Sequence, residues 1–146
     1  MDLERAIEIA AAGHRGQTDK AGQPYILHPL RVMLACEGRV AQIVAVLHDV
    51  IEDTDWTPEA LRAEGASDEI LAALETVTRR DHETYSEFIV RAARNEIGCA
   101  VKIADLHDNL DLSRIAQPTQ ADFARMDRYR TALQHLGCHL PELSDD

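Results

Sequence analysis

Four ionisable groups stand together in Leu47-His48-Asp49-Val50-Ile51-Glu52-Asp53-Thr54, directly after an apolar run. His48 and Glu52 are four residues apart, as are Asp49 and Asp53, and Asp49 and Glu52 are three apart. A helix turning every 3.6 residues brings such positions to one side. Val44, Leu47 and Ile51 make another side of the same helix apolar, which sets the polar patch beside a core. Three carboxylates crowded there repel one another unless a cation is present.

A solitary His-Asp pair is ordinarily a satisfied core histidine next to a solvated helix end. Two further segments shift that balance. Tyr25-Ile26-Leu27-His28-Pro29 puts a histidine just after a glycine-containing loop, at the start of the next helix. Val101-Lys102-Ile103-Ala104-Asp105 puts a lone acid after an apolar helical stretch, with Lys102 one turn back and Asn109 one turn on. Together these segments offer two imidazoles and two carboxylates. A mixed nitrogen and oxygen set suits manganese, iron or zinc better than calcium, which prefers oxygen alone. Four protein ligands on a six-coordinate ion leave positions for water and a substrate oxygen, with Glu52 or Asp53 placed to position or deprotonate the water.

The elements that must hold these groups read as helices, because apolar residues recur at three and four and hardly ever alternate. Residues 2–14 form the first, with Asp2 as its cap, and residues 15–27, holding Gly16, Gly22 and Pro24, form a loop. Helices follow at about 28–37 and 40–53. Thr57-Pro58 starts a short helix that stops at Gly65, and Ser67 caps one running to about Arg79. Thr84-Tyr85-Ser86-Glu87 matches a capping box, a further helix covers about 97–112, and Thr119 opens the last, which runs to about Leu136. The expected fold is all-α, a compact multi-helix bundle in one domain over 1–146, with 141–146 frayed.

Bulk properties narrow the partners. With 146 residues, 45% of them hydrophobic, the chain has room for one domain with a core. Fifteen basic against twenty-six acidic residues give a net charge of −11, which argues against a nucleic-acid polymer or an anionic membrane as partner. A phosphorylated substrate stays possible, since a bound cation inverts the local field. Cys36, Cys99 and Cys138 are odd in number and form no CxxC pair, and the N-terminus has no basic, apolar leader. A reduced, cytoplasmic protein is expected.

The segments resemble the hydrolase domain of the RelA/SpoT-homologue family, in the HD superfamily of metal-dependent phosphohydrolases, enzymes that remove the 3′-pyrophosphate from ppGpp and pppGpp. The resemblance covers roughly residues 1–115. It rests on Ala12-Gly13-His14 with Gly16-Gln17, on Gly22-Gln23-Pro24-Tyr25-Ile26 with His28-Pro29, on Leu47-His48-Asp49 with Glu52-Asp53-Thr54, and on Val101-Lys102 with Ala104-Asp105 and Asn109. It implies an all-α HD bundle, His28, His48, Asp49 and Asp105 as manganese ligands, and Glu52 and Asp53 as the water-activating pair. It further implies Asn109 as a contact to a small nucleotide-like substrate. Lys20 and Lys102, which fall on motif positions, are candidates for phosphate contact.

Two departures stand out. Asp19 precedes Lys20 where the family usually carries arginine, and Asp111 stands where arginine tends to follow the asparagine. Carboxylates at these places disfavour a polyanionic nucleotide. A different nucleotide as substrate of an HD phosphatase, and a sensor module that binds metal and nucleotide without turnover, are the competing readings; the intact Glu52-Asp53 pair speaks for an enzyme. Arg79 and Arg80 read as a solvated helix end, His14 as either packing or ordering the site, and Trp56 as core packing.

Overall fold

Side-chain caps fix most of the helix starts. Asp2 accepts from the Arg5 amide, Thr57 from Ala60, Ser67 from Ile70, Thr84 from Glu87 and Asn95 from Gly98, each meeting an amide left unpaired in a first turn. The computed structural model describes residues 1–137. Among them run α1 (Leu3–Gly13), α2 (Leu27–Ala35), α3 (Arg39–Leu47), α4 (Val50–Asp53), α5 (Pro58–Ala63), α6 (Asp68–Val77), α7 (Tyr85–Ala93), α8 (Glu96–Asn109) and α9 (Gln120–Gly137), with a 3-10 turn at Leu112–Arg114. The fold is an all-α bundle, and an isolated bridge between Thr18 and Pro24 is the only β pairing among the described residues. Cys138, His139 and the expected fraying of 141–146 lie outside the described residues.

The helix expected over 40–53 is in fact two. The His48 amide bonds the Ala45 carbonyl at 3.3 Å, and the His48 ring Nδ1 lies 2.6 Å from the same oxygen. In an unbroken α-helix that carbonyl would serve the Asp49 amide. Asp49 instead takes φ −103° and ψ 0°, and regular bonding resumes when Asp53 N–H donates to the Asp49 carbonyl at 3.0 Å. Other ends fall short of the sequence reading, among them α2, which stops at Ala35. α6 stops at Val77, where Thr78 turns extended and its hydroxyl donates back to the Leu74 carbonyl. α8 stops at Asn109, because Asp111 leaves helical geometry to cap the 3-10 turn through Ser113.

α3 lies at the centre, packed against α1, α2, α6 and α8, with Val44, Ala45, Val46 and Leu47 fully buried. Around it gathers the larger apolar cluster, which includes Ile9, Val32, Leu61, Leu74 and Val101; Trp56 packs on its edge, as expected. A second cluster of Phe88, Ile89, Cys99, Leu106, Ala132 and Leu136 joins α7, α8 and α9. Burial of each large side chain contributes about 1.5–3 kcal/mol. α8 supplies residues to both clusters and so carries Asp105 between them. It approaches α6 closely at Gly98, where an added Cβ would stand 2.0 Å from Thr76 Oγ1. Among the described residues no helix is long and apolar enough to cross a membrane.

Candidate metal centre

His28 opens α2, His48 and Asp49 form the break between α3 and α4, and Asp105 lies in the last turns of α8. The bundle brings all four together. His28 Nε2 stands 2.9 Å from Asp105 Oδ1 and 3.8 Å from Asp49 Oδ2, while His48 Nε2 is 3.0 Å from Asp49 Oδ2 and 3.4 Å from Asp105 Oδ1. One ligand atom from each of His28, His48 and Asp49 falls within 4.8 Å of the others, a spacing open to a shared cation. The helix break is what permits this, since it lets the neighbours His48 and Asp49 face one centre.

Hydrogen bonds behind the cluster settle which ring nitrogen faces inward. The Ala45 carbonyl can only accept, so His48 Nδ1 donates to it and, in the neutral ring, Nε2 carries the lone pair. His48 Nε2 is buried without a hydrogen-bond partner among the described residues. An orphaned imidazole nitrogen aimed at two carboxylates is the environment of a divalent cation, and the donor set fits one. Tyr25 donates its hydroxyl to Asp49 Oδ2, and Asp105 accepts from Lys102 Nζ at 2.9 Å and Asn109 Nδ2 at 3.1 Å.

The charges are tightly linked. Burial opposes protonation of both histidines, yet Asp105 and Asp108 beside His28, and Asp49 and Asp105 beside His48, raise their pKa values above the usual 6.5. Burial likewise opposes ionisation of Asp49, but the His48 imidazole holds its carboxyl down at about 2. Asp105 is buried too, and Lys102 and His48 keep it well below the ordinary carboxylate range. The site is a set of carboxylates in need of positive charge, which protons on the imidazoles supply where no metal does.

Glu52 and Asp53 sit on α4, just past the break, at the protein surface. Glu52 Oε1 accepts from the Arg79 amide, which draws it toward the 78–84 loop, so it does not share a single helix face with His48 and Asp49. Partial burial, with Asp49 adding to it, raises the pKa of both carboxyls. His14 is buried and its Nδ1 is 2.9 Å from Gln17 Oε1, while Gln17 Nε2 donates to the Asp53 carbonyl at 2.9 Å. His14 is thus packed in the core and linked through Gln17 to the Asp53 backbone. Arg79 and Arg80 pair with the Glu83 carbonyl and Glu75, as befits a solvated helix end.

A cavity of about 410 Å³ opens beside His28. Lys20 and Asn109 line it; Lys102 does not, and its ammonium is held between Asp105 and the Phe88 ring. Asp19 and Asp111 both reach the cavity, but neither carboxylate is free. Asp19 Oδ1 accepts from the Ala21 and Gln23 amides, and Asp111 caps Ser113 and pairs with Arg114 at 3.0 Å. Lys20, Arg31, Arg114 and Arg125 against Asp19, Asp108 and Asp111 leave the lining short of a net negative charge, in contrast to the chain as a whole.

Three residues at the site escaped sequence reasoning in this role: Tyr25, Arg31 and Asp108. Asp108 stands three residues after Asp105, and Arg31 three after His28, so the same helical spacing applied outward from the ligands would have found both.

No protein-family model matches the chain. It is 35% identical over 129 residues to a probable GTP pyrophosphokinase of Mycobacterium leprae, an alignment covering 80% of this chain and 16% of that protein. It is 32% identical over 121 residues to a guanosine-3′,5′-bis(diphosphate) 3′-pyrophosphohydrolase of Aquifex aeolicus, covering 75% of this chain and 17% of that one. The chain thus spans less than a fifth of the length of these two curated relatives. Among solved structures, a metazoan orthologue of SpoT, described as hydrolysing ppGpp and acting in starvation responses, superposes with a TM-score of 0.77 at 25% identity. That match covers 96% of this chain and 85% of that one. Shared sequence along most of the chain and a shared all-α architecture lead to one assignment: the chain belongs to the RelA/SpoT-homologue family of hydrolase domains.

Proposed function

We propose that this protein is a Mn²⁺-dependent phosphohydrolase that removes the 3′-pyrophosphate of ppGpp or pppGpp. The observation that carries the reading is the buried His48 Nε2, which makes no hydrogen bond among the described residues yet stands 3.0 Å from Asp49 and 3.4 Å from Asp105, with His28 Nε2 completing the set. His28, His48, Asp49 and Asp105 are the ligands in this reading. An ion held there supplies positive charge against the phosphate and lowers the pKa of water. Glu52, with Asp53 beside it, takes the proton as water adds to the phosphorus nearest the 3′ oxygen; the phosphorus–oxygen bond to the ribose breaks, pyrophosphate leaves and the 3′ oxygen gains a proton. Lys20 and Asn109, which line the cavity, contact the substrate, while Lys102 balances the charge of Asp105. A cytoplasmic setting is in keeping with the free thiols of Cys36 and Cys99.

The printed names of the relatives support this reading; a second one, in which the substrate is a less highly charged nucleotide, rests only on Asp19 and Asp111 standing where the family usually carries arginine. The test is a chelated, Mn²⁺-reconstituted protein incubated with ppGpp and a panel of nucleoside mono- and diphosphates, followed by phosphorus NMR. Pyrophosphate released from ppGpp only with metal is the expected result, and His48→Ala should abolish both metal uptake and release. Release from another nucleotide alone would select the second reading, and bound metal with no release from any would leave a sensor.

A further inference from the structure

His28 and His48 present the same nitrogen to the centre, but they are held by different means. His48 Nδ1 rests on a backbone carbonyl, whereas His28 Nδ1 lies 2.7 Å from Asp108 Oδ2. Asp108 is one turn beyond Asp105 on α8, so the helix that offers one oxygen to His28 Nε2 offers another to the far side of the same ring. Asp108 is itself fixed. Arg31, one turn beyond His28 on α2, donates from Nε to Oδ1 at 2.7 Å and from Nη2 to Oδ2 at 3.1 Å. Arg114 Nη2 donates to the Asp108 carbonyl at 2.9 Å and lies 3.5 Å from Oδ2. The Asp108 side chain is 12% exposed.

We propose that Asp108 is a positioning residue for His28, clamped by Arg31, which keeps the ring proton on Nδ1 and directs the Nε2 lone pair at the metal. A carboxylate behind a ligating imidazole both fixes its tautomer and strengthens it as a donor, and removing such a partner typically weakens metal binding 10- to 100-fold. The two-point grip of Arg31 explains why Asp108 does not swing toward the ligand set as a further carboxylate. This inference rests on the reading of His28 as a ligand.

The test is titration of metal-free protein with Mn²⁺, following free ion by electron paramagnetic resonance. Asp108→Asn should raise the Mn²⁺ Kd about 10- to 100-fold with helix content kept, and Asp108→Leu, which cannot accept the Nδ1 proton at all, should raise it further. In the unmodified protein loaded with diamagnetic Zn²⁺, long-range proton–nitrogen spectra should place the His28 proton on Nδ1, a readout that needs no variant to fold. A Kd for Asp108→Asn within about twofold of the unmodified value, or a proton on Nε2, would overturn the role of Asp108 alone. No Mn²⁺ uptake by the unmodified protein would bring down the ligand reading and this inference with it.

Discussion

Glu52 is held by the Arg79 amide and has its pKa raised, first by burial and then, against that hydrogen bond, by the charge of Asp49. A carboxylate whose pKa is raised is a stronger base. Glu52→Gln keeps an oxygen for the Arg79 amide and removes the base, so metal content should stay stoichiometric while turnover falls by roughly 10²–10⁴. Elemental analysis beside single-turnover kinetics checks this, and undiminished turnover would take Glu52 out of the chemistry. At this scale the ligand candidates were legible because His28, His48-Asp49 and Asp105 each occupy a distinct segment with a visible change from apolar to ionisable. Asp108 and Arg31 stand at readable helical spacing from those ligands, but their pairing was not legible. Their bond joins residues 77 apart, and nothing in either segment reveals that α2 and α8 will lie side by side.

Between elements, α6 and α8 approach closely at Gly98, which in the sequence is only a glycine near a helix start. Gly98→Ala gains roughly 1 kcal/mol of helix propensity, but its Cβ would collide with Thr76 Oγ1, which is bonded to the Ala73 carbonyl at 2.7 Å. Thr76 must rotate and give up that bond, and overpacking of this kind costs about 1–3 kcal/mol. A net loss is expected, read as a lower denaturant midpoint, and adding Thr76→Ala should recover it; an unchanged midpoint for Gly98→Ala would mean that α6 and α8 part freely. Helix starts were legible in the sequence because capping residues act locally. The break after Leu47 was hidden, since VAQIVAVLHDVIED keeps its apolar period through the point where the His48 ring takes the Ala45 carbonyl.

For the molecule as a whole, metal and protons compete for one set of groups. His28 and His48 have raised pKa values in the metal-free fold, despite burial, because carboxylates surround them. Their contribution to metal-free stability is therefore full below the unfolded histidine value near 6.5 and is lost as pH rises through the raised folded values. Metal binding runs the other way, since neutral imidazoles are required. The gap in melting temperature between Mn²⁺-loaded and metal-free protein should widen from about pH 6 to about pH 8. A gap that is constant or narrows on scanning calorimetry would contradict this coupling. Net charge gave no hint of it: −11 over the chain coexists with a cavity lined by four cations and three carboxylates.

α8 packs into both apolar clusters, with Val101 and Ala104 in one and Cys99 and Leu106 in the other. A fluctuation that opens α9 leaves α8 seated on the α3 side, and one that loosens α1 or α2 leaves it seated on the α7 and α9 side. Its central amide protons should therefore reach solvent only when both halves come apart together, which would make the helix bearing Asp105 and Asp108 one of the slowest-exchanging parts in native-state hydrogen exchange. Asp105, the proposed ligand, is thereby mounted on a segment whose opening should cost nearly as much as global unfolding.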